Sequence, residues 1–275
     1  MASVINTNIN SLNTQRNLSA SQGSLATAMQ RLSSGMRVNS AKDDAAGLAI
    51  ATKMDSQVRG MNVAIRNSND AISFAQTAEG GLSKISDSLQ RMRELAVQSK
   101  NGTNTASDQL NLDTEYQELA KEVTRVAANT NFNGVNTLAG AANAFQVGAG
   151  NATGDTITIT GTNMVTDTDV TASTAGDVKT LAAATLAITN IDKALTKVTT
   201  ERATFGASQN RFEAVISNLQ VSAENQSAAK SRIMDTDFAA ETANLSRANI
   251  LQQAGTAMLA QANSSPNGVL ALLRG

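Results

Sequence analysis

The chain has no cysteine, no histidine and no tryptophan, and a single proline, Pro266, in 275 residues. Without cysteine there are no disulfides and no thiolate metal sites, and the redox compartment is left open. Without histidine the commonest general base and metal ligand is missing. One proline means that almost nothing interrupts a long helix. Aromatic residues make up only 3% of the chain, with one tyrosine, so the expected core is Leu, Ile, Val, Ala and Met, which suits helix seams better than a thick globular interior. A formal net charge of −1 leaves no basic surplus for a phosphate backbone, and nucleic acid is not an expected partner. No run of about 18 apolar residues occurs, so no membrane span is expected. The first residues carry neither the basic nor the apolar region of a secretory signal, so a conventional signal is not the expected route out of the cell.

What is present is concentrated at the two ends. From Met1 to Gln30 the only charged side chain is Arg16, and from Ala248 to Gly275 it is Arg274. Leu18, Leu25, Met29 and Leu32 at one end, and Leu251, Ala254, Met258 and Ala262 at the other, recur at helical steps of three, four and seven. The opposite faces carry Asn, Ser, Thr and Gln. A helix with little charge on any face is shielded from water by neighbours, which points to assembly. Ordering the backbone costs about 1–2 kcal/mol per residue, and a lone helix pair buries too little to offset it. Both ends are therefore expected to be unstructured in the isolated chain and to fold on assembly.

Between the ends, Ile65, Ile72, Ala75, Leu82, Ile85, Leu89, Met92 and Ala96 have the spacing of a coiled-coil seam, which predicts a helix over 60–98. Asn101-Gly102-Thr103-Asn104 breaks it, and Ser107-Asp108 offers caps for the next helix. Leu112, Tyr116, Leu119, Val123 and Val126 continue the rhythm there, until the turn-rich stretch Asn129 to Gly134. Residues 135–180 are rich in Gly, Thr, Ala and Asn. They hold one period-two run, Thr156 to Thr160, with Phe145-Gln146-Val147 as its expected partner and Gly148 to Gly154 turning between them. The longest seam follows, through Ile188, Ile191, Leu195, Val198, Phe205, Phe212, Ile216, Leu219 and Ala223, and predicts a helix over roughly 181–230, about 75 Å long.

The expected fold class is mainly α: a long antiparallel coiled-coil helical rod with a small β-hairpin region, plus paired N- and C-terminal helices. Its expected divisions are 1–40, the rod 41–234 with a β-rich tip at about 135–180, and 235–275. Ser33 to Ser40 reads as a hinge, with Ser40 and Asp43 spaced like a capping box, and the matching joint falls around Ile233 to Phe238. The acidic pairs Asp43-Asp44 and Asp235/Asp237 sit at predicted helix starts, where carboxylates satisfy free amides. Gly148 to Gly154 lacks the Lys-Ser/Thr of a phosphate loop. No catalytic, cofactor-binding or metal-ligating set stands out, and an enzyme is not expected. The run Gln90 to Val97, taken alone, reads as a solvated face with weak charge pairs.

Longer motifs carry a resemblance. Met1-Ala2-Ser3-Val4-Ile5-Asn6-Thr7-Asn8, Arg31-Leu32-Ser33-Ser34-Gly35, Asn39 to Gly47, Arg93 to Gln98 and Phe132-Asn133-Gly134 resemble bacterial flagellin. So do Ser231-Arg232-Ile233, Ser246-Arg247-Ala248, Ile250 to Gly255 and Pro266 to Leu270. The match covers about 1–140 and 181–275, in order. The resemblance implies a filament subunit of the bacterial flagellum used for motility, exported unfolded through a flagellum-specific type III channel and polymerised outside the cell. The end helices would form the inner tube of a hollow filament. With only about 45 residues at the β tip, a short form lacking outer domains is implied.

The same resemblance implies partners. These are other subunits, an export chaperone on roughly 235–275, filament cap and hook–filament junction proteins, and Toll-like receptor 5. The receptor and subunit contact motif of the family maps onto Leu89, Gln90, Arg91, Leu95, Gln98 and Glu115. A hook–filament junction protein is the nearest alternative, and a membrane-active protein would require the basic faces and interfacial Trp that these ends lack.

Overall fold

The structure, a computed structural model, describes residues 7–272, with the backbone alone for 266–272. In chain order its elements are α1 (Ile9–Ser34), α2 (Ala45–Ser99), α3 (Ala106–Asn129), β1 (Asn131–Phe132), β2 (Val135–Asn136), β3 (Ala142–Gln146), β4 (Thr156–Thr160), α4 (Thr168–Thr174), α5 (Leu181–Met234) and α6 (Phe238–Leu272). The fold is mainly helical, as the periodicities predict, with two small antiparallel strand pairs among the described residues where one hairpin is expected. The residues cluster into two compact units, one of 57–224 and one built from residues up to 56 and from 225 onward.

In the 57–224 unit, the seam read from sequence is the core: Leu82, Ile85, Leu89, Met92 and Ala96 of α2 are fully buried, as are Tyr116 and Val123 of α3 and Ile191 and Phe212 of α5. The ion pairs Arg93–Asp192 and Glu79–Arg202 show α2 and α5 running antiparallel. α2 begins at Ala45, directly after the helix start expected at Asp43-Asp44, and runs unbroken into the seam read over 60–98, although Ala and Gly make the periodic signal poor before 60. Its start is capped by Asp44, whose Oδ1 accepts from Gly47 N at 2.7 Å. Asp43 instead closes the preceding turn. Its carboxylate accepts from Ser40 N, Ser40 Oγ and Asn39 N, and these donors hold it below the usual carboxylate range. The cap of α3 is Thr105 rather than Ser107, in a full capping box with Asp108.

The β tip is a hairpin in which Ala142 pairs with Thr160 and Gln146 with Thr156. Ile157 and Ile159 face the core while Thr156, Thr158 and Thr160 are exposed, the alternation of a half-buried strand. The hairpin loop lies directly on α2, where a Cβ on Gly60 would sit 2.8 Å from the Ala149 Cβ. A side chain at position 60 would push the loop away. Two features absent from the sequence reading are the β1–β2 turn and α4, both within stretches read as turns and loops. α4 starts on Asp167, whose carboxylate accepts from Asp169 N and Val170 N. Side chains from elsewhere hold the segment around it: Tyr116 OH donates to Ser173 O at 2.6 Å, Gln117 Nε2 to Gly176 O at 2.9 Å, and Val178 N to Asp113 Oδ1 at 3.0 Å.

Tyr116 yields a spectroscopic prediction. Burial, with the Asp113 and Asp177 carboxylates adding to it, pushes its phenol up from 10.0 to about 12. The folded state favours the protonated form, so the unfolded chain ionises first as pH rises. The stabilisation from this group is complete below about 10 and is lost as pH climbs through about 12. As the chain holds one tyrosine and no tryptophan, phenolate absorbance reports it alone. The folded protein should titrate near 12 and the urea-unfolded chain near 10; a folded-state midpoint near 10 would place the hydroxyl in water.

In the other unit α1 and α6 lie antiparallel. The two connectors that were predicted as joints meet there in a short clasp. Met36 and Asp235 form an antiparallel bridge, Arg37 N donates to Met234 O at 2.6 Å and Thr236 N to Gly35 O at 3.0 Å. Gly35 ends α1 in the left-handed region (φ 71°), its N–H returning to Arg31 O, a conformation that costs glycine least. Asp237 caps α6 by accepting from Ala239 N and Ala240 N. All four acidic pair members are thus occupied with backbone or local side-chain donors.

Candidate assembly and partner surfaces

The terminal pair is built on two matched heptad stripes. On α1 the covered positions are Ser11, Thr14, Leu18, Ser21, Leu25, Ala28 and Leu32, and on α6 they are Glu241, Leu245, Ala248, Gln252, Gly255, Leu259 and Ala262. Both alternate steps of three and four, the rule for a coiled-coil seam. The register is fixed at both ends. Asn8 Nδ2 donates to Ala262 O and Ser11 Oγ to Asn263 Oδ1, each at 2.7 Å, while Arg31 Nη1 lies 4.0 Å from Glu241 Oε2. Midway, Leu18 packs against Gly255, where a Cβ would be 3.1 Å from its Cδ1.

This divides the residues read as one stripe. Leu18, Leu25, Leu32 and Ala262 are in the seam between α1 and α6. Met29, Leu251, Ala254 and Met258 are not: Met29 is 52% exposed, Leu251 50% and Met258 62%, and Ala254 is exposed as well. The seam of α6 runs one position further along, through Gln252, Gly255 and Leu259. Sequence pattern could not choose between the two rows because from Ala248 onward neither carries charge and both carry Leu. With Ile250 at 66% exposure, the second row of α6 is an apolar stripe, uncharged from Ile250 to Met258 and uncovered among the described residues.

The six motif residues of the helical unit separate in the same way. Leu89 and Leu95 are 0% and 1% exposed and belong to the core; within this chain they hold α2 in place and offer no surface. Gln90, Arg91, Gln98 and Glu115 are exposed. Arg91 bridges two helices, its Nε donating to Glu115 Oε1 and its Nη1 to Glu94 Oε2, both at 2.9 Å. These acceptors raise the guanidinium pKa further, Glu115 foremost. On the other flank Arg93 Nε donates to Asp192 Oδ1 at 2.7 Å. A shallow groove is lined by Gln90, Arg93, Glu94, Val97 and Gln98. Arg93, Glu94 and the half-exposed Val97 thus share the face and were missing from the sequence-derived set. The spacing of Gln90, Glu94, Val97 and Gln98, opposite the buried Leu89, Met92 and Ala96, is the signal that marks them. No group of three or more metal-ligating side chains occurs among the described residues, and no described helix is long and apolar enough to cross a membrane.

The bacterial flagellin N-terminal helical region matches residues 5–143 and the C-terminal helical region matches 188–273. A flagellin of Halalkalibacterium halodurans is 45% identical over 98% of this chain and 100% of its own length. The flagellar filament 31.3 kDa core protein of Treponema maltophilum is 42% identical over 98% of this chain and all of that protein. Among solved structures, the crystal structure of Bacillus cereus flagellin superposes with a TM-score of 0.50 at 36% identity, covering 60% of this chain and 94% of that one. A putative flagellar hook-associated protein from Vibrio parahaemolyticus shares the fold alone, with a TM-score of 0.58 at 14% identity. Matched along both helical regions and across nearly its whole length, the chain belongs to the bacterial flagellin family, a family of structural proteins and not of enzymes.

Proposed function

We propose that this chain polymerises with copies of itself into the extracellular filament of the bacterial flagellum, with α1 and α6 as its inner tube. The observation that carries the reading is the uncovered stripe Ile250, Leu251, Ala254 and Met258 on a helix whose other stripe is already used within the chain. Burying a side chain such as Leu, Ile or Met is worth about 1.5–3 kcal/mol, so repeating this contact along a polymer supplies the driving force. The same surplus keeps the isolated ends marginal, which suits a chain exported unfolded by a type III channel with an export chaperone over roughly 235–275. The absence of disulfides and the single proline spare it slow steps on threading and refolding. Cap and hook–filament junction proteins would contact the same end helices.

The test is electron microscopy of purified protein before and after adding filament fragments, with circular dichroism on both samples. Long hollow filaments accompanied by a rise in helicity are expected. A protein that stays monomeric with its ends already helical would point to a junction role instead.

A second reading rests on the exposed Gln90, Arg91, Gln98 and Glu115. In the monomer this face is the contact for Toll-like receptor 5, with Leu89 and Leu95 acting from beneath to position it. The Arg91–Glu115 pair is solvent-exposed, so water and salt screen it and it adds little to the fold. Arg91→Ala should therefore leave the monomer folded and weaken receptor activation in a reporter cell. Full activation by this variant would count against the reading.

A further inference from the structure

We infer that Asn101–Gly102 is a site of spontaneous covalent modification, where the side-chain amide is lost to give aspartate and isoaspartate, while the same dipeptide at Asn133–Gly134 is protected by its turn. The Gly102 backbone nitrogen gives its proton to water and attacks Asn101 Cγ. The new N–Cγ bond closes a succinimide ring, the Cγ–Nδ2 bond breaks and ammonia leaves. Water then opens the ring at either carbonyl. One opening restores the original backbone with an aspartate side chain, and the other routes the backbone through Cβ and Cγ as isoaspartate. Water is the one co-reactant, and no oxidation state changes.

The two sites differ in what stands against the attack. Glycine at the second position removes side-chain hindrance and leaves the backbone permissive, and this holds at both. Asn101 is exposed, in the loop between α2 and α3. Its carboxamide and the Gly102 amide make no hydrogen bond within the described residues, and nothing lies within 4 Å of where a Gly102 Cβ would be. Its backbone is held by Asn101 N to Gln98 O and Asn104 N to Asn101 O, both 3.1 Å. The neighbouring Asn104, in contrast, has its side chain tied to Gln98 O at 2.7 Å.

Asn133 and Gly134 both have positive φ, 49° and 79°, as the two central residues of a tight hairpin turn require. The pairs Phe132–Val135 and Asn131–Asn136 close it on either side, Asn136 Nδ2 anchors it to Ala128 O at 2.6 Å, and the Phe132 ring stands against Phe74. Swinging the Gly134 nitrogen onto Asn133 Cγ breaks that turn. The third Asn-Gly of the chain, 267–268, is in the helical backbone of α6, among the ends that order on assembly, so its peptide is followed separately.

The product changes the α2–α3 corner. One added carboxylate takes the net charge from −1 to −2, and it arrives just past the C-terminus of α2, where a helix disfavours negative charge. Isoaspartate also lengthens the backbone inside the Asn101–Asn104 turn, at the expense of the bond between their main chains.

The experiment incubates the full-length protein at mildly alkaline pH, folded and in urea, then digests it at acid pH and maps peptides by mass. A gain of about one dalton marks each event. In the folded protein the Asn101 peptide should convert at least about tenfold faster than the Asn133 peptide, a lower bound set by the hydrogen bonds that the turn must break. Urea should bring the two rates together, and Asn101→Gln should remove the first acidic species on isoelectric focusing. Equal rates in the folded protein, or an Asn101 that keeps its amide while the urea sample converts, would overturn the inference.

Discussion

Phe212→Ala lowers the stability of the helical unit by about 3–5 kcal/mol, the range for deleting a buried aromatic ring. Phe212 is 0% exposed on α5, and its ring meets that of Phe145 of β3 edge-on at 5.9 Å. Phe145 in turn meets Phe74 of α2 at 5.7 Å, and Phe74 meets Phe132 of β1 at 6.0 Å. Four of the six phenylalanines of an aromatic-poor chain therefore form one line from α5 through the hairpin to α2 and β1. Each edge-on pair adds about 0.5–1.5 kcal/mol beyond its buried area.

The site cannot collapse to fill the gap. β3 is fixed by its pairing with β4 and by Asn67 Nδ2 on Gln146 O at 3.0 Å, and α5 by its ion pairs to α2. In a thermal melt followed by circular dichroism the loss corresponds to roughly 10 °C at 2–4 °C per kcal/mol. Val135→Ala, at a 45% exposed position, serves as the control and should change little. A drop below about 1 kcal/mol for Phe212→Ala would mean that the ring line is not a structural centre.

The parts of the fold that could be read from sequence are those where one stripe is apolar and the rest is charged. α2 carries Leu82, Ile85, Leu89, Met92 and Ala96 on one side and Arg91, Arg93 and Glu94 on the other, so its buried face is unambiguous. α4 is held by bonds from residues far along the chain, Tyr116 to Ser173 and Asp113 to Val178, and no local pattern announces such bonds. The N-cap at Thr105 competes with Ser107 on equal chemical terms, and tertiary placement decides it.

The candidate site shows the same limit. A motif resemblance carries Leu89 and Leu95 across together with Gln90 and Arg91, although the seam spacing itself puts Leu89 inward and the structure buries Leu95 beside Ala96. On the terminal helices the difficulty is sharper, because Asn, Ser, Gln and Ala fill every face. Two rows one residue apart then look alike, and the geometry of α1 against α6 chooses Gln252, Gly255 and Leu259 for the inner seam. That choice frees the other row for assembly.

Met258→Glu abolishes seeded filament growth and leaves the monomer as it was. At 62% exposure the side chain contributes little within the chain, and glutamate is a good helix former, so the monomer should change by no more than about 0.5 kcal/mol. In a polymer that covers the stripe, the same carboxylate enters an apolar contact, with Arg247, the cation that continues its row, three turns and about 16 Å away. An unpaired buried charge costs several kcal/mol, and each 1.4 kcal/mol is about tenfold in affinity, so association should fall by at least about a hundredfold at every subunit contact. Leu259→Glu, one position along on the inner seam, should behave differently by disturbing the α1–α6 pair itself, so that the ends do not gain helicity when seeds are added. The comparison separates the two rows. If Met258→Glu grows normally from seeds while Leu259→Glu does not, the polymer is held by the intact helix pair through some other face, and the exposed row of α6 is not its contact.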